Sequence, residues 1–206
     1  MKMQRMGWYV FVIGIFVVGV CFGTWLMMVL TNDQRVELWT WLKQWYSQPD
    51  SWSAADHTDA WQQTSISHMK WILFIWLCGL TVVGIPFVLL VNFFKGVMVG
   101  FTMGLFAVSA SWHGIFAGAI SILPTNLLLM PVMILISVSS IHFALTVIRE
   151  RFVQKNGPVF PVLVQHSGIA FAILIVVVGI SWVEVNALPV WMDWIWSHWP
   201  SLRIFV

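Results

Sequence analysis

Charged side chains are scarce in this sequence. Only 9% of its 206 residues are Asp, Glu, Lys or Arg, whereas 60% are hydrophobic, and the mean hydropathy is +0.87. A soluble domain carries roughly 25% charged residues, so this chain has too little polar surface to fold in water. The net charge of +2 is small and the basic residues are scattered, so no nucleic-acid partner is expected. The sequence predicts an integral membrane protein without a soluble catalytic domain.

Cysteines and catalytic motifs are scarce as well. Cys21 and Cys78 both lie inside apolar runs, where a thiol acts as a small hydrophobe, so no disulfide is expected. There is no HExxH metal motif, no phosphate-binding loop and no paired carboxylates for sugar cleavage. Asp56, His57 and Asp59 are close in sequence, but they fall in a polar stretch and are expected to face water. We therefore predict no enzyme activity, no metal and no cofactor.

Long apolar runs divide the chain into about five membrane helices. The first run, residues 8–30, is too long for a cleaved secretory signal and predicts a retained span. Pro86 predicts a kink within the second span, and Pro124 predicts the end of a half-length helix, because proline lacks an N–H. The predicted fold is an all-α integral membrane protein with one membrane domain, residues 1–206. Its parts are spans 8–30, 71–92, 96–112, 127–148 and 167–188, an external loop 31–70, a re-entrant or interfacial half-length helix 114–123, amphipathic surface helices and an external tail 189–206.

Glycines recur at every fourth position in the centre of the chain. Gly96, Gly100 and Gly104 share one face of a helix, and Gly114 and Gly118 repeat the spacing. Because glycine weakens a helix by roughly 1 kcal/mol relative to alanine, this register predicts a helix-packing face where another backbone comes close. Packing within the chain and a homodimer use the same chemistry, so the sequence leaves both open.

The loop 31–70 begins with a predicted surface helix. Thr31 and Gln34 have the spacing of a capping box, and apolar residues then recur at helical spacing. This helix would lie along the membrane or pack on the ends of the protein's own helices. Fourteen of the fifteen tryptophans fall on this side of the predicted topology. They predict an aromatic surface for lipid headgroups or protein partners, with five candidates: Trp39, Trp41, Trp45, Trp191 and Trp194.

Basic residues set the predicted orientation. Six of the ten lysines and arginines fall at one side of the five-span topology, namely Lys2, Arg5, Lys95, Arg149, Arg151 and Lys155. Because short cytoplasmic loops of membrane proteins are enriched in Lys and Arg, the N-terminus is predicted to be cytoplasmic.

Glu184 is the only acidic residue within a predicted span, where an unpaired carboxylate is costly. We expect either a hydrogen bond that joins helices near the interface, or an ion or proton site formed with Asn126, Asn186 or His113. His142 lies in the fourth predicted span and is expected to be a buried, hydrogen-bonded histidine.

Several motifs occur together in register along the chain. They are Val83-Gly84-Ile85-Pro86, Phe94 to Gly104, Trp112-His113-Gly114, Ser121 to Asn126, Leu145 to Arg149 and Glu184. In their order and spacing, which cover about three quarters of the chain, the sequence resembles the stage II sporulation protein M family. The family's LP-x-N motif corresponds to Leu123, Pro124 and Asn126, with Thr125 at the variable position. Ser109-Ala110-Ser111 stands where Asn-Gln-Met is common in the family.

The resemblance implies a function in addition to a fold. It implies a five-span protein with a cytoplasmic N-terminus that acts in engulfment during endospore formation. The protein would be a non-enzymatic scaffold that anchors two peptidoglycan hydrolases, a lytic transglycosylase and an amidase, at the septal or mother-cell membrane. The alternative from the residues is a small transporter or channel with a broken-helix site near Pro124.

Overall fold

The computed structural model describes residues 2–46, 57–81, 83–149 and 159–198. Within these ranges the chain is helical apart from short turns, and it has no β-strand. The helices are α1 (Lys2–Val29), α2 (Asn32–Tyr46), α3 (His57–Gly79), α4 (Gly84–Ile148) and α5 (Val159–His198). The predicted all-α fold is confirmed.

Four segments in the described ranges are long and apolar enough to cross a membrane. They are Met6–Val29 in α1, Gly84–Val108 and Asn126–Ile148 in α4, and Phe160–Asn186 in α5. Helix α3 has 23 residues, but its first part is too polar to qualify. Many large apolar side chains on the four segments point outward, as lipid-facing side chains do. The predicted multi-pass membrane protein is confirmed.

Helix α4 folds back on itself. Its helical backbone continues from Gly84 to Ile148, yet the side chains of Asn92 and Ser137 are joined by a hydrogen bond of 2.7 Å. A straight helix would separate two residues 45 positions apart by about 68 Å. The reversal lies between Lys95 and Asn126, because these two residues line the same cavity. We call Gly84–Val108 the first arm of α4 and Asn126–Ile148 the second arm.

The half-length helix predicted for residues 114–123 is not a separate element. Residues 114–123 are part of the continuous helix α4, and Pro124 lies within that helix and does not end it. Proline bends a helix by removing one hydrogen bond and does not always terminate it. The helix end predicted at Pro124 is therefore wrong, and the chain reverses within one strongly bent helix.

The second predicted span, 71–92, is also corrected. The chain turns between α3 and α4 at residues 80–83, where the N–H of Gly84 bonds the carbonyl of Thr81 at 3.1 Å. A Cβ atom on Gly84 would collide with the carbonyl oxygen of Cys78, so the turn requires glycine. Pro86 belongs to the first turn of α4, where its missing N–H costs nothing. The second and third predicted spans are therefore replaced by α3 and the first arm.

The start of α3 is a further correction. The polar stretch around Asp59 was expected to be a linker, but α3 is helical from His57 onward. Asp59 lies in its first turn, where a carboxylate interacts favourably with the helix dipole. Asp56 lies outside the described residues, and the side chain of His57 does too.

Contacts between the helices fix their directions. Gly19 and Met27 of α1 approach Gly96 and Gly104 of α4 in the same order, so α1 and the first arm are parallel. The second arm returns antiparallel to the first and carries Ser139, which contacts His166 near the start of α5. One end of the bundle thus carries the start of α1, the turn 80–83, the end of the second arm and the start of α5. We call it the N-terminal end, and the opposite end carries α2.

The second arm of α4 is the centre of the bundle. In its apolar stretch 56% of the residues are buried, against 33% or less in the other three spans. Ile136 and Ile141 of this arm pack with Ile75 of α3 and Val177 of α5 in one core cluster. The second arm therefore positions α3, α5 and the first arm around it.

Candidate functional site

The glycine interface joins α1 to the first arm of α4. A Cβ atom on Gly96 would lie 3.1 Å from the Cα of Gly19 and closer still to the carbonyl oxygen of Phe16. On Gly100 it would collide with the carbonyl of Val20. The two backbones are in direct contact, which only glycine permits.

Both helices contribute small residues to this interface. Gly23 of α1 faces the carbonyl of Val97 just as Gly100 faces α1. Thr24 Oγ1 donates to the carbonyl of Val20 at 3.0 Å and to that of Gly100 at 3.2 Å. Gly104 is less crowded, with the Met27 side chain 3.1 Å from an added Cβ. Since α1 covers this face, a homodimer through it would require α1 to leave. The surroundings of Gly114 and Gly118 lie outside the described residues.

A polar cluster forms where α3, both arms of α4 and α5 meet. We define it as His68, Asn92, Lys95, Asn126 and Glu184. The imidazole Nε2 of His68 lies 3.0 Å from Oε2 of Glu184, and Lys95 lies on the same side of the bundle as His68. Lys95 lies near the middle of the 25-residue segment Gly84–Val108, where an ammonium group is stable only with polar partners.

The polar cluster encloses a small cavity. It has a volume of about 20 Å³ and is lined by His68, Asn92, Lys95 and Asn126 together with apolar residues. A cavity needs about 10–15 Å³ to hold one water molecule. The Lys95 ammonium also lies 5.0 Å from the centroid of the Trp71 ring, within the range of a cation–π interaction. The site can hold charge in the membrane because its own side chains, together with a cavity that has room for one water, supply the solvation.

Glu184 has a different partner from those predicted. His68 of α3 binds it, whereas Asn186 donates to the carbonyl of Trp182 on its own helix. The side chain of His113 lies outside the described residues. Of the three predicted partners, Asn126 lines the cavity of the same cluster. The observed bond is thus a link between two helices, α3 and α5.

Buried hydroxyl groups extend the polar contacts along the second arm. Asn92 donates to Ser137, which donates in turn to the carbonyl of Met133 at 2.7 Å. Ser140 donates to the carbonyl of Ile75 on α3 at 3.2 Å. Both serines are fully buried, so these bonds satisfy polar groups that neither lipid nor water reaches.

His142 borders a second and larger cavity at the N-terminal end. This cavity has a volume of about 390 Å³ and lies between α1, the second arm and α5. His142 is half-buried there, and its carbonyl accepts a bond from Thr146. Across the cavity, His166 is only 2% exposed, stacks on Phe143 and bonds Ser139 at 2.9 Å.

The aromatic surface predicted on the loop 31–70 is partly described. Thr31 and Gln34 exchange the two hydrogen bonds of a capping box at the start of α2. Trp39 packs edge-to-face on Phe106 of the first arm, with ring centroids 5.5 Å apart. Trp41 on the same helix is 64% exposed. The side chains of Trp45, Trp191 and Trp194 lie outside the described residues.

Of the LP-x-N residues, only Asn126 has a described side chain, and it lines the polar cluster. Leu123 and Pro124 belong to the helical backbone of α4, but their side chains lie outside the described residues. The motif therefore contributes one polar side chain, that of Asn126 on the second arm of α4, to the cavity that Lys95 also lines.

Sequence reasoning missed His68 and Lys95 as site residues. His68 was assigned to an external loop, and Lys95 to the boundary between two predicted spans. The sequence is apolar on both sides of Lys95, and this pattern could have predicted that one helix continues through Lys95. With the turn placed at Gly84 instead of after Asn92, Lys95 falls at mid-span.

Comparisons with known proteins agree with the motifs. Residues 12–186 match the family described as stage II sporulation protein M. No curated protein and no solved structure matches the chain. The match begins in α1 and ends just after Glu184 in α5, so it covers the glycine interface and the whole polar cluster. The chain therefore belongs to the stage II sporulation protein M family of membrane proteins.

Proposed function

We propose that the protein is a non-enzymatic membrane scaffold of the sporulation engulfment complex. It recruits peptidoglycan hydrolases, a lytic transglycosylase and an amidase, to the septal or mother-cell membrane. Family membership supports the sporulation process, and the helix contacts support a bundle held together from within. The recruiting surface is the exposed aromatic face of α2.

Trp41 is the observation that carries this proposal. It is 64% exposed on a helix that lies outside the four apolar spans. Exposed tryptophans are enriched among the residues that dominate protein interfaces. Because Trp39 anchors the same helix on Phe106, Trp41 is held in place before a partner binds, which lowers the entropy cost of binding.

The proposed orientation puts α2 on the same side as the cell wall. Lys2 and Arg5 lie at the start of α1, and Arg149 directly follows the second arm, so these three basic residues belong to the N-terminal end of the bundle. A cytoplasmic N-terminal end agrees with the enrichment of basic residues on that side of membranes. The opposite end, with α2, then faces the peptidoglycan that the recruited hydrolases cut.

Replacing Trp41 tests the recruiting surface. In Trp41→Ala, co-purification of the two hydrolases from sporulating cells should fall at least tenfold, because hot-spot truncations commonly cost 2 kcal/mol or more. Trp25→Ala is the matched control, since Trp25 is 55% exposed within the span of α1 and faces lipid. Equal recovery of hydrolases with the two variants would contradict the proposed surface.

A second experiment tests the absence of catalysis. The purified protein should release no soluble fragments from isolated peptidoglycan, and the hydrolases added to it should supply all the cleavage. If the protein alone released fragments, and inhibitors of the two hydrolases did not stop the release, the protein itself would be an enzyme.

A small transporter is the second candidate, and the polar cluster is the observation in its favour. Charged groups inside a membrane commonly mark ion pathways. Lys95 and His68 line a cavity there, and Glu184 bonds His68. The cavity of about 20 Å³, however, has room for only about one water molecule. Protein in liposomes should therefore pass no protons or small ions above the rate of empty liposomes, and measurable flux would favour transport.

A further inference from the structure

The cavity at the N-terminal end is of the size that binds small molecules. Its volume of about 390 Å³ falls in the range of roughly 300–1,000 Å³ seen for ligand pockets. It lies between α1, the second arm of α4 and α5, and none of the contacts argued above fills it.

The second arm lines this cavity with side chains graded in polarity. Leu135 and Val138 lie farthest from the N-terminal end of the bundle, and Ser139 and His142 lie nearer to it. Arg149 comes seven residues after His142 on the same face, about 10 Å further along the helix. Along this face the lining farthest from the N-terminal end is apolar, Ser139 and His142 are hydrogen-bonding, and the cationic Arg149 follows beyond the lining.

The other two helices also line the cavity, and α5 places its polar lining residues between apolar ones. On α5, Ile173 and Val176 are apolar lining residues, and Gln165 and His166 follow toward the N-terminal end. On α1, Tyr9 lines the cavity, and Arg5 lies one turn nearer the end. Two helices, the second arm and α5, therefore present apolar and hydrogen-bonding side chains to the cavity, and Arg149 follows beyond the lining of the second arm.

We propose that this cavity is a binding site for one anionic glycerophospholipid. The acyl chain would lie against Leu135, Ile173 and Val176, and the ester groups would meet the polar zone. The phosphate would meet Arg149 at the end of the helix. A lipid carries the same three zones in the same order, and its anionic head complements Arg149.

The cavity walls are held in place before any lipid binds. Ser139 bonds His166 at 2.9 Å, and Phe143 stacks on the His166 ring with centroids 5.0 Å apart. These contacts join the second arm to α5 behind the polar zone. A preformed site loses less entropy on binding than one that must be assembled.

Binding of defined lipids to the delipidated, detergent-purified protein tests the proposal. Native mass spectrometry would compare phosphatidylglycerol with phosphatidylcholine of identical acyl chains. We expect about fivefold tighter binding of phosphatidylglycerol, since one basic residue near a lipid headgroup contributes about 1 kcal/mol. In Arg149→Gln this preference should disappear while phosphatidylcholine binding stays the same. Lys70→Gln is the control, because Lys70 is exposed on α3, far from the cavity.

Filling the apolar zone tests the site of the acyl chain. Ala172→Phe should weaken binding of both lipids at least tenfold, because Ala172 lines the cavity. If that variant does not fold, Val176→Trp fills the same zone. Equal affinity for the two lipids in the unaltered protein would overturn the proposal, and so would unchanged binding in the folded filling variant. Competition by glycerol 3-phosphate alone would also overturn it, since it would show a phosphate site without an acyl chain.

Discussion

The glycine interface and the polar cluster hold the same helix, α4, in opposite ways. At the glycine interface, α1 and the first arm meet backbone to backbone, and each glycine contributes by lacking a side chain. At the polar cluster, α3, α4 and α5 meet through long side chains that reach one another, such as His68 and Glu184 at 3.0 Å. In lipid, where apolar burial gives helices little reason to associate, close packing and interhelical hydrogen bonds are the available forces.

The two contacts should therefore fail in opposite ways. At Gly96 and Gly100 the glycine interface tolerates no added atom, because the neighbour is a backbone that cannot rotate away. The polar cluster tolerates no single deletion, because removal of one partner leaves another charged or polar group unsolvated in the membrane. Three substitution experiments test this contrast, in order of decreasing expected effect.

Adding bulk at Gly100 should have the largest effect. In Gly100→Leu the new side chain meets the carbonyl of Val20, so α1 must separate from the first arm, at a cost of about 3 kcal/mol or more. The thermal midpoint in detergent should fall by many degrees, or the protein should fail to fold. Gly14→Leu is the control on α1, since nothing lies within 4 Å of an added Cβ there. A similar midpoint for both variants would show that the glycine interface carries no stability.

Removing one charge of the polar cluster should have the second largest effect. Lys95→Met and Glu184→Gln should each destabilise the protein by up to about 3 kcal/mol, because each removes one charge from the polar cluster and leaves its remaining groups less well solvated in the membrane. The double variant should cost less than the sum of the two, since neither charge then remains. Thermal unfolding of the four proteins measures this coupling. Strict additivity would mean that Lys95 and Glu184 do not act as a pair.

Loss of a single neutral hydrogen bond should have the smallest effect. Ser137→Ala removes the acceptor of Asn92 between the two arms of α4 and should cost about 0.6 kcal/mol, the average for such bonds in membranes. Thr102→Val is the control, because Thr102 donates only to the carbonyl of Met98 on its own helix. Unfolding in detergent should separate the two variants, and an equal loss would place the Ser137 contribution within its own helix.

Local patterns predicted one of these two contacts better than the other. The spacing of Gly96, Gly100 and Gly104 defines a helix face without any knowledge of the partner, and the structure adds only that α1 covers it. The polar cluster joins residues that are up to 116 positions apart, such as His68 and Glu184. Neither residue has a local pattern that identifies the other, so the sequence predicted a hydrogen bond or polar site at Glu184 but not its partner His68.

The composition and the length of the apolar runs by themselves determined that this is an all-helical membrane protein, because an apolar run of about 20 residues has the length of a spanning helix, which satisfies its backbone hydrogen bonds within the segment. The capping box at Thr31 was likewise determined by residues three positions apart. Only the tertiary structure decided that the chain turns at Gly84, that α4 folds back on itself and that Lys95 lies at mid-span beside α3 and α5. These features depend on which helices pack together, and helix packing depends on contacts between residues that are distant in sequence.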